Sequence, residues 1–209
     1  MRVRTESHAA MTFIELLVVI AVIAIMASIL MPVYASAKRK AKQARCSANL
    51  HQLGHAFALY QHDWDGNWPT AAASPWGDSI RPYVRLDYLK LACPLLKGPT
   101  QPVDHVPGYA LNAGIYFRTA AESEIQFPVT TVALLDAPLQ VSCAYEPDPW
   151  ATIQRPQPPP ESAWKRHDGG ANYLFCDQHI KWYKPESVLA HRSNTQDGKT
   201  PSFAISWDN

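Results

Sequence analysis

Residues 11–31 read MTFIELLVVIAVIAIMASILM, an apolar run that carries a single charge, Glu15. The 19 residues from Phe13 to Met31 make about 28 Å of α-helix at the usual rise per residue. That length is close to the hydrocarbon thickness of a bilayer, so the run predicts one membrane-spanning helix. A carboxylate within such a span costs roughly 2.5 to 3.5 kcal/mol, which makes Glu15 a candidate functional residue.

The residues around this run follow a known pattern. Ala10 precedes Met11, Glu15 is fifth counting from Met11, and Pro32 follows the apolar stretch. This arrangement resembles the processing site and first helix of the type IV pilins and type II secretion pseudopilins. The resemblance implies that a prepilin peptidase cuts between Ala10 and Met11 and methylates the new N-terminus. The family usually has Gly before the cut, where this chain has Ala10.

The resemblance also implies a role for Glu15 in assembly. Without residues 1–10, the α-amino group of Met11 would lie one helical turn from Glu15, or would reach the Glu15 of a neighbouring subunit. Such a pair is attractive in a low dielectric, but desolvation cancels much of the gain, so its main effect is on register. We therefore expect homo- or hetero-assembly with other pilin-like subunits through their apolar helices.

Charges on the two sides of the span bear on its orientation. Five basic residues in the run 38–45, KRKAKQAR, follow the span, and only Arg2 and Arg4 precede it. Charge counting alone would therefore keep the C-terminal part in the cytoplasm. The resemblance implies the opposite: a single-pass inner-membrane protein with a cytoplasmic N-terminus and an extracytoplasmic C-terminal domain, which later enters a filament. The basic run then contacts inner-membrane lipid. DNA binding is the alternative, and the net charge of +1 makes a nucleic-acid partner unfavoured.

Residues 32–62 predict an amphipathic continuation of the same helix. Pro32 removes one backbone hydrogen bond and should kink the helix, but good helix formers follow at once. Farther along, apolar residues recur at spacings of four and three, which places them on one helix face. This apolar stripe consists of Cys46, Leu50, Leu53, Phe57 and Tyr60. Gly66 and Pro69 predict the end of the helix near DWDGNWP.

The rest of the chain predicts a β-rich globular domain with long loops. Short apolar runs such as TTVALLDAP and ANYLFCD alternate with stretches rich in proline, glycine and aromatic residues. The overall prediction is an α+β, pilin-like fold, in which the amphipathic half of a long N-terminal helix packs on a small antiparallel sheet. The predicted segments are a cleaved leader (1–10), a transmembrane or filament-core helix (11–31), its amphipathic continuation (32–62) and an extracytoplasmic domain (63–209).

The C-terminal block RHDGGANYLFCDQHIKWY indicates a more specific group within this family. It is similar to the domain of prepilin-like proteins named for a His, nine residues and then Asp-Gly. His167 and Asp177 match this motif, whereas Gln178 replaces the Gly. We expect Asp177 and Gln178 to form a two-residue hairpin loop with positive φ, so that Phe175 pairs with Ile180. The side chains that would then cover the helix are Tyr173, Phe175, Ile180 and Trp182.

Four cysteines lie in what should be an oxidising compartment: Cys46, Cys93, Cys143 and Cys176. Cys46 is on the apolar stripe, and Cys93 is in a loop that must pack near the helix, so we favour a disulfide between them. Cys143 and Cys176 form the second candidate pair. Four buried thiols are the alternative, because free cysteines are among the most buried residue types.

No metal site and no cofactor are predicted. His51, His55 and His62 have spacings that could share a helix face with Asp63. A polar face beside the apolar stripe is the favoured interpretation, since no closed ligand set with zinc-type spacing is visible.

An enzymatic activity is not predicted either. The residues that could be arranged as a nucleophile site are His167, Cys176, Asp177 and His179. Cys176 and His179 flank one tight turn, and no oxyanion donors or Gly-rich elbow accompany them. The predicted function is that of a structural subunit of a type II secretion or type IV pilus-like filament.

The alternative is a membrane-anchored extracytoplasmic binding module or adhesin for carbohydrate or DNA. Four tryptophans fall in predicted loops, where exposed rings could stack on sugars: Trp64, Trp68, Trp76 and Trp150. Loop tryptophans can instead close the rim of a small core, and the sequence does not rank the two interpretations.

Overall fold

A computed structural model describes residues 12–70, 75–84, 88–96, 108–117, 121–136, 165–188 and 199–203. The chain divides into two units, Met1–Lys40 and Ala41–Asn209. The first unit holds the beginning of a long helix, and the second holds the continuation of that helix and a four-stranded sheet.

Helix α1 runs from Phe13 to Asp63 with Pro32 inside it. The predicted continuation of the helix past Pro32 is confirmed, and a kink at that residue stays a prediction. The helix ends where the sequence indicated. Gly66 takes a φ of 78° and donates its N–H to the carbonyl of Gln61 at 2.8 Å, which satisfies a carbonyl of the last turn.

The first part of α1 has its apolar side chains on the outside. The large hydrophobic side chains from Phe13 to Tyr34 are between 46% and 78% exposed. This helix is long and apolar enough to cross a membrane, and it is the one helix of the described ranges that is. Membrane spans and N-terminal signal sequences share this length and composition.

Four antiparallel strands form one sheet in the order β1-β2-β3-β4. Their bounds are Tyr109–Leu111, Val132–Asp136, Ala171–Phe175 and Ile180–Tyr183. Strands β2 and β3 are buried along their whole length, in keeping with the apolar runs that predicted them. The other helices of the described ranges are short: α2 (Trp76–Ile80), α3 (Ala113–Phe117) and the 3-10 turns Arg81–Tyr83, Tyr88–Leu91, Glu122–Glu124 and Pro185–Ser187.

The apolar stripe of α1 packs on one face of this sheet. All five of its residues are buried, which confirms the predicted helix face. They share a core with Leu111, Leu134 and Leu174 of the sheet. Phe57 lies 5.3 Å from the ring of Trp68 and 5.8 Å from that of Trp76, so aromatic contacts close the end of this core. The predicted α+β fold is therefore confirmed.

The β3–β4 hairpin differs from the predicted register by one residue. Leu174, not Phe175, pairs with Ile180. The N–H of Gln178 donates to the carbonyl of Phe175 at 3.0 Å, and Gln178 has a φ of 76°. A type I turn followed by a residue of positive φ is the usual form of a three-residue hairpin loop. The positive φ of Gln178 is confirmed, but that expected for Asp177 is wrong. The two-residue loop is also wrong, because the turn takes in Cys176 as well.

The change of register alters which side chains of β3 cover the helix. Leu174 and Ile180 contact the core that contains the apolar stripe. Tyr173 and Phe175 belong to a second apolar cluster, with Leu135. Because side chains alternate between the two faces of a strand, a slip of one residue changes which β3 side chains share a face with Ile180. The predicted covering face is confirmed for Ile180 and was wrong for Tyr173 and Phe175.

Candidate functional site

The core beside the apolar stripe contains a cluster of four polar side chains: Cys46, Cys93, Asp136 and His167. Their sulfur, nitrogen and oxygen atoms all lie within 4.8 Å of one another. None of the four residues is more than 2% exposed. Within the described ranges, no other group of three or more His, Cys, Asp or Glu side chains is gathered in this way.

Each member comes from a different segment of the fold. Cys46 is placed by the helical spacing of the apolar stripe, and Asp136 is the last residue of β2. Cys93 follows the 3-10 turn Tyr88–Leu91, which α1 holds through the amide of Asn49, 2.8 Å from the Leu91 carbonyl. The cluster therefore forms only when the helix, the loop and the sheet are packed together.

His167 is placed by a tight turn immediately before β3. His167 and Gly170 exchange backbone hydrogen bonds of 3.0 and 3.2 Å across Asp168 and Gly169. Both of these turn residues have positive φ, 53° and 83°, as a type I′ turn requires. The indole N–H of Trp182 donates to the His167 carbonyl at 2.8 Å and fixes the turn against β4.

Asp136 is the centre of the hydrogen bonding within the cluster. Its Oδ1 accepts from the thiol of Cys46 at 2.9 Å, and its Oδ2 accepts from the backbone N–H of Asn172 at 2.8 Å. The same Oδ2 lies 3.2 Å from Nε2 of His167. The hydroxyl of Tyr109 is 3.1 Å from the Cys46 sulfur. A buried carboxylate with this many partners is held in one orientation.

The two thiols of the cluster differ in acidity. Burial raises the pKa of Cys46, and the adjacent Cys93 and Asp136 raise it further, so Cys46 keeps its proton. Contact with the Cys46 side chain lowers the pKa of Cys93 to about 5; burial opposes this, and His167 adds to it. Cys93 is therefore the thiolate of the pair.

His167 and Tyr109 also have pKa values shifted by their surroundings. Burial by itself would lower the pKa of His167, but the hydrogen bonds with Asp136 and Cys93 outweigh it and raise that pKa to about 9. Burial raises the pKa of Tyr109, so its hydroxyl stays protonated and can donate to the Cys46 sulfur. The result is an imidazolium between a thiolate and a carboxylate.

The geometry does not resemble that of a nucleophile with a relay. Nε2 of His167 faces both partners, lying 3.7 Å from the Cys93 sulfur and 3.2 Å from Asp136. In a relay the base would use one ring nitrogen for the nucleophile and the other for the carboxylate. Nδ1 of His167 is buried and has no hydrogen-bond partner among the described residues.

The two residues of the predicted His–Asp motif have separate environments. His167 belongs to the cluster, whereas Asp177 is exposed in the β3–β4 loop and its carboxylate is in hydrogen-bond contact with the imidazole of His179. The same loop contains Cys176, whose buried side chain is a free thiol. The nucleophile arrangement considered for Cys176 and His179 gains no support, because the imidazole pairs with Asp177.

The predicted disulfide partners Cys46 and Cys93 are brought together, but as free thiols. The sulfur of Cys46 is engaged by Tyr109 and Asp136, and that of Cys93 lies beside His167. In place of the expected disulfide, the structure has two free thiols that contact three further polar side chains. Cys143, the expected partner of Cys176, lies outside the described residues.

The residues expected to act in processing and assembly lie at the start of α1. Ala10 and Met11 are outside the described residues. Glu15 accepts hydrogen bonds from the N–H and the hydroxyl of Thr12, both at 2.8 Å, and the Thr12 hydroxyl accepts from the Glu15 N–H at 3.3 Å. This reciprocal arrangement is a capping box, a local role for Glu15 that the sequence analysis missed although the Thr-x-x-Glu spacing indicates it.

The described tryptophans and histidines that were considered as sugar or metal ligands lie outside the cluster, in the core or on the surface. Trp68 and Trp76 are no more than 1% exposed and belong to the core, so they cannot stack on a sugar. Trp64 is 56% exposed and stacks on Tyr60, and Trp150 lies outside the described residues. His51 and His55 are exposed and stack on each other.

Asp136 of the cluster and its neighbour Tyr109 were not among the predicted site residues. The one available signal is a carboxylate at the end of the buried run VALLD, because an isolated buried charge requires partners. No family model, curated protein or solved structure matches this chain. The architecture itself is pilin-like: a long helix with an apolar N-terminal part, whose continuation packs on a four-stranded antiparallel sheet.

Proposed function

We propose that this chain is a prepilin-like structural subunit, a pseudopilin, of a type II secretion or type IV pilus-like filament. The observation that carries the proposal is the two-part character of α1. Its first part exposes apolar side chains on all sides, and its continuation is buried against a sheet. A single helix built in this way joins a membrane or filament environment to a folded domain.

The exposed part of α1 needs an apolar environment. Contiguous apolar surface of this extent is not stable in water, because each buried methylene contributes about 0.8 kcal/mol. The bilayer provides that environment before assembly, and the apolar helices of neighbouring subunits provide it within a filament. We propose an inner-membrane protein with a cytoplasmic N-terminus, despite the basic run that follows the span.

Glu15 would have two successive partners in this scheme. In the isolated chain it completes the capping box with Thr12. After removal of residues 1–10, the new α-amino group of Met11 or of a neighbouring subunit would compete for the carboxylate. An amine would bring a full positive charge to the carboxylate, whereas the Thr12 hydroxyl is a neutral donor; because desolvation cancels much of this gain, the pair would act mainly on the register of assembly.

A non-enzymatic role agrees with the character of the polar cluster. Its members are at most 2% exposed, so a substrate could not reach them without unfolding of the core. The proposed partners are the prepilin peptidase, other pilin-like subunits and inner-membrane lipid. The alternative, a membrane-anchored adhesin, is less favoured because two of its four candidate tryptophans are buried in the core.

Processing tests the proposal directly. The full chain is produced with and without a co-expressed prepilin peptidase, and its intact mass is measured in membrane extracts. We expect loss of residues 1–10 and addition of one methyl group only when the peptidase is present. Ala10→Gly should be processed like the parent chain, and Ala10→Phe should not. A chain that keeps residues 1–10 beside an active peptidase would overturn the pseudopilin proposal and favour the membrane-anchored module.

A further inference from the structure

We propose that Cys46, Cys93, Asp136 and His167 form a binding site for one thiophilic divalent cation of the Zn²⁺ type. The four residues present two sulfurs, one imidazole nitrogen and one carboxylate, with their donor atoms within 4.8 Å of one another. The site goes beyond the structural-subunit proposal and does not depend on it, since its ligands all belong to the unit Ala41–Asn209.

The distances between donor atoms fit a tetrahedral centre. With metal–sulfur bonds of about 2.3 Å and metal–nitrogen or metal–oxygen bonds of about 2.0 to 2.2 Å, neighbouring donors lie roughly 3.3 to 3.8 Å apart. Cys93 Sγ and His167 Nε2 are 3.7 Å apart, and His167 Nε2 and Asp136 Oδ2 are 3.2 Å apart. The 2.9 Å contact of the Cys46 sulfur is with the other carboxylate oxygen, Oδ1, and is a hydrogen bond that is lost when the thiol proton leaves.

The chemistry of the donors selects the class of cation. Two thiolates and an imidazole are soft or borderline ligands that favour Zn²⁺ and similar transition metals. Ca²⁺ and Mg²⁺ require six or more oxygen ligands, and this site has one carboxylate. Four protein ligands close the tetrahedron, as in structural rather than catalytic zinc sites, which agrees with the burial of all four residues.

Residues outside the set of four ligands already orient the ligand side chains. The Asn172 N–H holds Asp136 Oδ2 at 2.8 Å, and the Tyr109 hydroxyl lies 3.1 Å from the Cys46 sulfur. The carbonyl of His167 is fixed by the indole of Trp182. Partners of this kind set ligand orientation, and removing one lowers metal affinity about 10- to 100-fold in characterised sites.

Binding has a defined proton balance. Two coordinating thiolates and a neutral imidazole replace the protonated forms, so the Cys46 thiol proton and the imidazolium proton pass to solvent. No oxidant or reductant takes part. Because a disulfide between Cys46 and Cys93 would remove both sulfur ligands, metal binding and that disulfide exclude each other. The bound cation would tie α1 to β2, to the turn before β3 and to the Cys93 loop.

The test uses the full chain in detergent micelles, purified reduced and free of chelator, with Zn²⁺ and Co²⁺ as probes. We expect about one ion per chain after dialysis, and a thiolate-to-cobalt charge-transfer absorption with Co²⁺. Cys46→Ser and Cys93→Ser should abolish both signals. Cys176→Ser is the matched control, because Cys176 is also a buried free thiol but lies outside the cluster. Tyr109→Phe should weaken binding by about 10-fold.

X-ray absorption on the zinc-loaded parent chain keeps the test decisive if a ligand variant fails to fold. The expected first shell has two sulfurs at about 2.3 Å and two nitrogen or oxygen atoms. A shell without sulfur, which would indicate binding at exposed histidines, would overturn the proposal. So would the absence of bound metal from the folded, reduced chain, or the recovery of the native chain with Cys46 and Cys93 joined as a disulfide.

Discussion

The loop between β3 and β4 contains a residue, Gln178, whose replacement we expect to stabilise the domain, although most substitutions destabilise a protein. Gln178 has a φ of 76°, a conformation that costs a residue with a Cβ about 1 to 2 kcal/mol relative to Gly. Its Oε1 is buried without a hydrogen-bond partner among the described residues. That oxygen also lies 2.7 Å from the place where a Cβ on Gly54 of α1 would be. We expect Gln178→Gly to stabilise the domain.

The magnitude follows from four contributions. Relief of backbone strain contributes about 1.5 kcal/mol, and removal of an unsatisfied buried oxygen contributes about 1 kcal/mol. Greater freedom of Gly in the unfolded chain subtracts about 0.7 kcal/mol. Loss of the half-buried side-chain methylenes of Gln178 subtracts about 1 kcal/mol. The sum is a stabilisation of about 1 kcal/mol, which raises the Tm of a domain of this size by about 2 to 4 °C.

Gln178→Ala is the matched control. It removes the same oxygen and methylenes but keeps a Cβ at positive φ, so its net effect should be close to zero. The Gly variant should therefore be more stable than the Ala variant by about 0.5 to 1 kcal/mol. Thermal unfolding of the full chain is followed by tryptophan fluorescence, because Trp68 and Trp76 are buried in the domain. A Gly variant that melts below the Ala variant would refute the positive φ and with it the three-residue loop.

Two further changes test other parts of the structure. Gly170→Ala should destabilise the domain by about 3 kcal/mol, because the new Cβ would lie 2.5 Å from the indole of Trp182 and from the Tyr183 carbonyl. Gly169→Ala, which meets no atom within 4 Å, should cost only about 1 kcal/mol from its φ of 83°; equal losses in denaturant unfolding would contradict the close approach of Trp182. Glu15→Gln keeps the capping hydrogen bonds but removes the charge, whereas Glu15→Ala removes both. If pairing with an amine sets register, both variants should insert into membranes and both should be depleted from sheared filaments, whereas a Gln variant that assembles normally would leave Glu15 with the capping role alone.

The sequence alone predicted the features that depend on neighbouring residues. The length of the apolar run, the period of the stripe and the Gly66 signal together predicted α1, because helix formation depends on residues three and four positions apart. The runs VALLD and ANYLF predicted β2 and β3 for the same reason, since strand patterns are also local. The positive φ of Gln178 agrees with the sequence-based prediction, although the two-residue turn from which it was predicted does not form.

The tertiary structure decided the features that depend on distant residues. The register of β3 against β4 depended on whether the loop has two residues or three. In the observed register Leu174 and Ile180 pack on the core that contains the apolar stripe. The polar cluster could not be predicted from the local sequence at all. Cys46 and Asp136 are 90 positions apart in the chain, yet they are in hydrogen-bond contact. Such ligands have no recognisable spacing in the sequence, because the packing of a helix, a loop and a sheet brings them together. The site therefore exists only in the folded chain.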